Sequence, residues 1–181
     1  MKSTQLFLIL VLLSLTTKSE VPAQVKLYAD KSKSSITYSM KHPLHSWDGI
    51  CKDVNSIIIA DEDKTHISQA AVSVKIASFD SQNANRDSHM IEVTDAIKYP
   101  NISFASTSIK QDGTMLDITG KLTFHGVTKE ISIKASETMK GNNAHITGNF
   151  SVNMKDYGIE PPSLMAMPTD EEIKLSFELV F

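Results

Sequence analysis

The sequence of 181 residues lacks the features that identify disulfide-rich domains and nucleic-acid binders. Cys51 is the only cysteine, so no internal disulfide can form and stability must come from a packed core. Arg86 is the only arginine, and 18 basic against 21 acidic side chains give a formal charge of −3. A chain with one guanidinium group and no basic patch is not expected to bind nucleic acid.

Motifs of catalysis are missing as well. The sequence contains neither the Gly-x-Ser-x-Gly turn of a nucleophilic serine nor a glycine-rich phosphate loop, and nothing around Cys51 is typical of a catalytic thiol. The acidic clusters 61–63 and 170–172 lack the apolar surroundings that raise a carboxyl pKa, so we interpret them as solvated turns. The sequence predicts a protein that is not an enzyme and uses no cofactor or metal.

The N-terminal segment has the pattern of a secretory signal peptide. An apolar run at 6–15 follows a positively charged start, and it is too short to cross the ~30 Å hydrocarbon core of a bilayer as a helix. No integral membrane span is therefore expected. Small residues permit cleavage after residue 19 or after residue 23. We expect segment 1–23 to be removed on export and segment 24–181 to form one domain.

The rest of the chain alternates apolar and polar residues with a period of two, which is typical of strands with one wet face. Short polar turns separate these runs, so successive strands are predicted to form antiparallel hairpins. The predicted strands are 34–42, 49–60, 66–77, 101–110, 114–125, 128–138, 144–154 and 171–181, with a lead-in at 25–28. Eight such strands predict an all-β, closed antiparallel barrel, because closure removes exposed edges; a two-sheet sandwich fits the same alternation.

Two segments interrupt the strands. In 81–99, Asn83 or Asn85 is suited to cap a short helix that lies across one barrel end. The connection 155–170 contains two adjacent prolines, which argue against regular structure, together with apolar residues that an ordinary solvated loop would not carry. This connection is predicted to be either a lid over an apolar cavity or a plug of the core.

Polar residues with more than one interpretation are His42, His45 and Arg86. The proline between the two histidines excludes a shared helix face, and residues three apart in one strand point to opposite faces. His42 has inward parity, and the alternatives for it are a structural hydrogen bond, a contact to a ligand head group at the barrel mouth, or a metal ligand. Arg86 is expected either to pair with Asp87 or to meet an anionic or polar head group. Cys51 is expected to be a partly buried small hydrophobe, and the alternatives for it are an intermolecular disulfide or an oxidisable thiol.

Four short motifs occur in an order that resembles one known family. They are Leu122–Lys129 (LTFHGVTK), Arg86–Met90 (RDSHM), Tyr99–Phe104 (YPNISF) and Asp156–Ile159 (DYGI). Together they are similar to the YceI-like proteins over residues 25–181. The resemblance implies an eight-stranded lipocalin-like barrel, located in the periplasm, that holds a long apolar molecule such as a polyisoprenoid, a fatty acid or a fatty amide. The sequence departs from the family pattern at 42–47 and in the long loop at 161–165.

The function predicted from these observations is a periplasmic binding or carrier protein for one long apolar molecule. The side chains expected to contact the ligand are Tyr38, Met40, His42, Trp47, Val72, Val74, Ile76, Arg86, Met90, Phe104, Phe150, Leu164, Met165 and Met167. One alternative is an exported metal-binding or redox-stress protein that uses His42, His45 and Cys51. Another is a solid-cored barrel that acts through a partner protein. Monomer and homodimer are both left open.

Overall fold

The computed structural model describes residues 23–181, so the predicted signal peptide lies outside the described residues except for Ala23. Within these residues the structure is mainly β-strand, with one α-helix. The strands are β1 Gln24–Tyr28, β2 Ser35–His42, β3 His45–Cys51, β4 Asn55–Asp61, β5 Ile67–Lys75, β6 Phe79–Asp80, β7 Asn101–Asp112, β8 Met115–Phe124, β9 Val127–Lys140, β10 Asn143–Asn153, β11 Ser163–Leu164, β12 Met167–Pro168 and β13 Glu172–Val180. No helix in the described part of the chain is long and apolar enough to cross a membrane.

Eleven strands form one curled antiparallel sheet in the order β1-β4-β5-β7-β8-β9-β10-β13-β2-β3-β6. The predicted number of eight is wrong, and the ladder does not close, because β1 and β6 each pair on one side only. The predicted strand 49–60 is two strands, β3 and β4, which lie towards opposite edges of the sheet. The chain crosses between them at 52–54, where Val54 is fully buried. The gap between the two edges is therefore bridged by the chain itself rather than by ladder hydrogen bonds.

The predicted short helix is confirmed as α1, Ala84–Val93. Asn83 is the N-cap, and its side-chain oxygen accepts a hydrogen bond from the Arg86 backbone N–H at 3.1 Å. This bond satisfies one of the amide groups that the first helical turn leaves free. The helix connects β6 to the start of β7, so it lies at one end of the curled sheet.

The inward face follows the predicted alternation along most of the sheet. In β8, for example, the even positions from Leu116 to Leu122 are buried, while the odd positions between them are more exposed. The register of β7 shifts at a bulge between Ser106 and Ser108, and the next inward residue is therefore Ile109 at an odd position. A bulge adds one residue to a strand and exchanges its two faces beyond that point.

Three glycines of the sheet allow aromatic rings to lie flat against a neighbouring strand. A Cβ atom at Gly49 would lie 2.6 Å from Cζ of Tyr38, the residue paired with it across the ladder. A Cβ at Gly148 would lie 2.6 Å from Cζ of its ladder partner Phe177. Gly120 makes the same space for Phe104. The three rings face the interior, so these glycines help to set its shape.

The connection between β10 and β13 has more structure than the adjacent prolines predict. It begins with a 3-10 turn, Met154–Tyr157, and continues into the small hairpin formed by β11 and β12. The turn of this hairpin places Met165 at φ 52° and Ala166 at φ 62°. Residues with a Cβ rarely adopt this left-handed conformation, which is why the hairpin could not be predicted.

Candidate ligand-binding cavity

The concave face of the sheet encloses a cavity with an almost wholly apolar wall. Its volume is about 210 Å³. Several inward-facing side chains, among them Phe104, Phe150 and Phe177, are only half-buried, because they face this space. The solid-cored alternative is therefore wrong.

Ten of the fourteen residues predicted to contact a ligand line the cavity. They are Tyr38, Met40, Trp47, Val72, Val74, Ile76, Arg86, Met90, Phe104 and Phe150. They come from β2, β3, β5, the turn after β5, α1, β7 and β10, so the curl of the sheet and the position of the helix bring them together. Strand parity identified those that lie on strands except Trp47, which was predicted from the departure from the family pattern at 42–47.

The helix contributes lining residues that sequence reasoning missed. His89 and Val93 lie three and seven positions after Arg86, and both line the cavity beside it. Residues at these spacings share one face of a helix. The spacing from Arg86 and Met90 was therefore a usable signal, because a helix that lies across a cavity presents a whole face to it.

The two ends of the cavity differ in polarity. We call the end where α1 lies the helix end, and the end with the β7–β8 and β9–β10 turns the far end. The wall residues nearest the far end are all apolar: Ile67, Ile109, Leu116, Ile146, Leu179 and Phe181. The polar lining residues are Tyr38, Trp47, Ser56, Arg86, His89 and Thr94, and five of these six lie on α1, β2, β3 or the residue that caps α1.

A small group of donors lies at the helix end. The Arg86 guanidinium carbon is 5.0 Å from the centre of the Trp47 ring, a cation–π distance. Arg86 Nη1 donates a hydrogen bond to the Ser81 backbone oxygen at 3.3 Å. Burial raises the pKa of the Tyr38 hydroxyl, and the side chains of Trp47 and Ser81 lie beside that hydroxyl. The cavity therefore has one charged side chain at the helix end, surrounded by aromatic rings.

The ion pair considered for Arg86 and Asp87 is not formed. Asp87 instead accepts hydrogen bonds from the backbone N–H of Ser81 at 3.1 Å and from its hydroxyl at 2.6 Å. Arg86 takes part in none of the ion pairs formed within residues 23–181. Consecutive residues of a helix point about 100° apart, so Asp87 turns towards β6 while Arg86 turns towards the cavity.

His42 does not line the cavity, which corrects its prediction as a ligand contact. It is 2% exposed, and its ring bonds to the protein on both sides. Its Nδ1 accepts from the Leu44 backbone N–H at 3.2 Å, and its Nε2 lies 3.0 Å from the Met167 backbone oxygen. An acceptor Nδ1 and a donor Nε2–H define one neutral tautomer. His42 therefore joins the β2–β3 turn to the β11–β12 hairpin.

The geometry of the two histidines also differs from the prediction. His42 ends β2 and His45 begins β3, so the two residues do not belong to one strand. They face each other across the two-residue turn Pro43-Leu44, with ring centres 5.2 Å apart. Metal binding by His42 would require breaking one of its two hydrogen bonds, because each ring nitrogen already has a partner in the protein. Within residues 23–181, no group of three or more His, Cys, Asp or Glu side chains is arranged to hold a metal ion.

Leu164, Met165 and Met167 are not on the cavity wall, in contrast to the prediction. The β11–β12 hairpin carries the first two at its tip, where Leu164 is 49% and Met165 is 79% exposed. Pro162, at the base of the same hairpin, does line the cavity. The hairpin therefore touches the cavity at its base and directs its apolar tip to solvent.

Cys51 is fully buried at the end of β3, as expected for a small hydrophobe. Burial raises the pKa of its thiol. Because the thiolate is the reactive form, both effects oppose oxidation or metal binding at this residue. The redox-stress alternative thus loses its thiol as well as one histidine.

A buried polar network at the far end was not predicted. Glu137 continues the inward series of β9, and its Oε2 accepts a hydrogen bond from Gln111 Nε2 at 2.9 Å. Gln111 also donates to the Thr65 backbone oxygen and accepts from the Ile67 N–H. Burial raises the Glu137 pKa, and its Oε1 has no hydrogen-bond partner in the described residues. The network connects β5, β7 and β9 just beyond the apolar end of the cavity.

A curled antiparallel sheet around an apolar cavity defines the lipocalin-like class of binding folds. A family model described as the YceI-like domain matches residues 28–181. The chain belongs to the YceI-like family. Protein YceI of Salmonella newport (strain SL254) is 30% identical to it over 184 aligned residues, which cover 97% of this chain and 95% of that protein.

Solved structures show the same fold. BcnA of Burkholderia cenocepacia has a TM-score of 0.75 at 21% identity, covering 84% of this chain and 99% of that one. The Campylobacter jejuni YceI protein has a TM-score of 0.64 at 24% identity, covering 74% and 82%. A polyisoprenoid binding domain from Saccharophagus degradans has a TM-score of 0.66 at 12% identity, covering 84% and 95%. At these identities the likeness establishes the fold.

Proposed function

We propose that this protein is a periplasmic carrier or sequestering protein that holds one long apolar molecule inside the curled sheet. The observation that carries the proposal is the cavity itself, whose wall is apolar except for a few polar side chains, most of them at the helix end. The polyisoprenoid binding domain with the same fold supports a prenyl or similarly long chain as the ligand. Export rests on the signal-peptide pattern of the N-terminal sequence.

Burial of the apolar chain alone can supply the binding free energy of such a ligand. Burial of a methylene contributes about 0.8 kcal/mol, so ten buried groups contribute roughly 8 kcal/mol before the entropy of association is subtracted. A long chain can therefore bind usefully through its length alone. A nucleophile or general acid is not required, and we propose a non-catalytic role.

The β11–β12 hairpin is proposed to cover the helix end of the cavity. Its base is already at the cavity through Pro162, and its apolar tip is exposed. Large apolar groups on the surface of a soluble protein usually mark a binding surface. Folding the tip over a ligand would bury both Leu164 and Met165.

The central test is uptake of a neutral apolar fluorescent probe, N-phenyl-1-naphthylamine. Val74 is 4% exposed and lines the cavity, whereas the next residue, Lys75, points outward. We expect Val74→Glu and Phe104→Glu to reduce probe uptake and Lys75→Glu to leave it unchanged, with circular dichroism confirming that each variant is folded. Folded inward variants that take up the probe like the unmodified protein would exclude the proposal.

Export has its own test. The protein is expressed from its full sequence and recovered from the periplasmic fraction, and its N-terminus is sequenced. We expect a mature chain that begins at Glu20 or at Gln24. Full-length protein confined to the cytoplasmic fraction would contradict the periplasmic assignment without affecting the cavity.

A further inference from the structure

Arg86 is the one permanently charged side chain among the residues that line the cavity. The same lining includes no aspartate, glutamate or lysine, and its other titratable groups are Tyr38 and His89. Arg86 is half-buried and takes part in no ion pair within residues 23–181. A charge held against an apolar cavity without a counter-charge is unfavourable, because burial removes part of its hydration.

The contacts of Arg86 hold the guanidinium in place but leave most of its donors unused. It has five N–H donors, and one of its two terminal nitrogens bonds to the Ser81 backbone oxygen at 3.3 Å. The Trp47 ring packs against it at 5.0 Å and fixes its plane. Asp87, the nearest acidic residue in sequence, accepts hydrogen bonds from the backbone N–H and the hydroxyl of Ser81. The guanidinium is therefore held in place and forms no ion pair with this carboxylate.

The charge also lies at a defined end of the cavity. Arg86, Tyr38 and Trp47 converge at the helix end, whereas the wall towards the far end is apolar. The hydroxyls of the other polar lining residues, Ser56 and Thr94, donate to backbone oxygens and are satisfied within the protein. An elongated molecule in this cavity thus meets a cation at one end and hydrocarbon along the rest.

We infer that the helix end binds the single anionic head group, a carboxylate or a phosphate, of a long-chain amphiphile whose tail extends to the far end. The inference rests on the proposed function and specifies its ligand class. A planar guanidinium matches both head groups, because two parallel N–H groups can bond to two oxygens of either anion. The head group supplies the counter-charge that the protein does not.

The test compares lauryl alcohol, laurate and lauryl phosphate, which share one chain and differ in the head group. Each competes with N-phenyl-1-naphthylamine for the mature protein at neutral pH, below its aggregation concentration. We expect at least one anion to bind about tenfold more tightly than the alcohol, since hydrogen bonds to a charged group contribute about 1.5–3 kcal/mol. Preference for laurate alone identifies a carboxylate, and preference for lauryl phosphate alone identifies a phosphate.

Three variants assign the preference to Arg86. Arg86→Met should bind the anion and the alcohol equally, and Arg86→Lys should keep part of the preference. The matched control is Lys98→Met, which removes an exposed positive charge that does not line the cavity and should keep the full preference. If Arg86→Met does not fold, the three ligands are compared on the unmodified protein and on Arg86→Lys. A weaker preference for the anion in Arg86→Lys then supports the inference, and an unchanged preference contradicts it.

The outcomes separate this inference from the proposed function. Equal binding of alcohol and anions by the unmodified protein would overturn the inference and leave the apolar carrier intact. The same holds if Arg86→Met keeps the preference while remaining folded. Failure of the unmodified protein to bind the probe or any of the three amphiphiles would overturn the proposed function itself.

Discussion

Substitution of Gly49 by alanine tests whether the Tyr38 ring is held against the sheet by the absence of a side chain opposite it. A Cβ at Gly49 would lie 2.6 Å from Cζ and 2.8 Å from Oη of Tyr38, whereas carbon atoms in contact are about 3.5–4.0 Å apart. The two residues are paired in the β2–β3 ladder, so the backbones cannot easily separate. The ring must therefore turn away, and the cavity is the space beside it.

The magnitude follows from two opposing terms. Overpacking of a well-packed site costs about 1–3 kcal/mol, and alanine in a strand is about 0.5–1 kcal/mol more favourable than glycine. A net loss of about 1–2 kcal/mol lowers the melting temperature by roughly 2–8 °C for a domain of this size. Uptake of the neutral probe should fall as well, because the displaced ring occupies cavity volume.

The control is the same substitution in a Tyr38→Leu background. Leucine keeps an apolar side chain but lacks the ring atoms that a Cβ at Gly49 would meet. In that background Gly49→Ala should be neutral or stabilising by up to about 1 kcal/mol, as expected for alanine in a strand. Chemical denaturation of the four proteins measures the coupling energy. An equal loss of stability in both backgrounds would refute the packing argument.

Three further predictions concern other parts of the molecule. Because burial raises the Glu137 pKa, the folded protein loses stability as pH rises from the ordinary glutamate pKa through the raised one; Glu137→Gln should flatten this dependence in melting curves, and an unchanged dependence would contradict it. His42→Ala should cost about 2–4 kcal/mol in denaturant unfolding, since two hydrogen bonds of a buried ring are lost; a loss below 1 kcal/mol would contradict the assigned contacts. Laurate or lauryl alcohol should slow hydrogen exchange across 160–170 but not in β8, and Leu164→Ser with Met165→Ser should speed ligand release more than it lowers stability; protection of the hairpin equal to that of β8 without ligand would contradict a covering role.

Strand parity predicted the inner face because a period of two is intrinsic to extended backbone. The apolar positions of the alternation on β5, β8, β10 and β13 line the cavity in the structure. The number of strands could not be predicted in the same way. The segment 52–54 has no glycine or proline to mark a corner, and the division of 49–60 depends on β3 pairing with β2 and β6 while β4 pairs with β1 and β5. That choice is made by residues far apart in sequence.

The errors at the candidate site have a common cause in turns without glycine. The pairs Pro43-Leu44 and Met165-Ala166 both form two-residue hairpin turns, although neither has the Asn-Gly or Asp-Gly pattern typical of them. Without the first turn, the two histidines that flank it read as residues on opposite faces of one strand. Without the second, the apolar residues around it read as part of an irregular loop that packs directly on the cavity.

The two unpredicted turns belong to one structural unit at the helix end. His42 bonds to the Met167 backbone oxygen, and the Asp170 backbone N–H donates to the Lys41 oxygen at 2.8 Å, so the β2–β3 turn holds the base of the β11–β12 hairpin. The tip of that hairpin has no comparable anchor among the described residues, and it combines two left-handed residues with exposed apolar side chains. Both features oppose stability, and at this tip they occur in the same two-residue turn and its neighbour. A fixed base and an unfavourable free tip are the properties that a cover requires, so we assign His42 to anchoring the hairpin rather than to contacting the ligand.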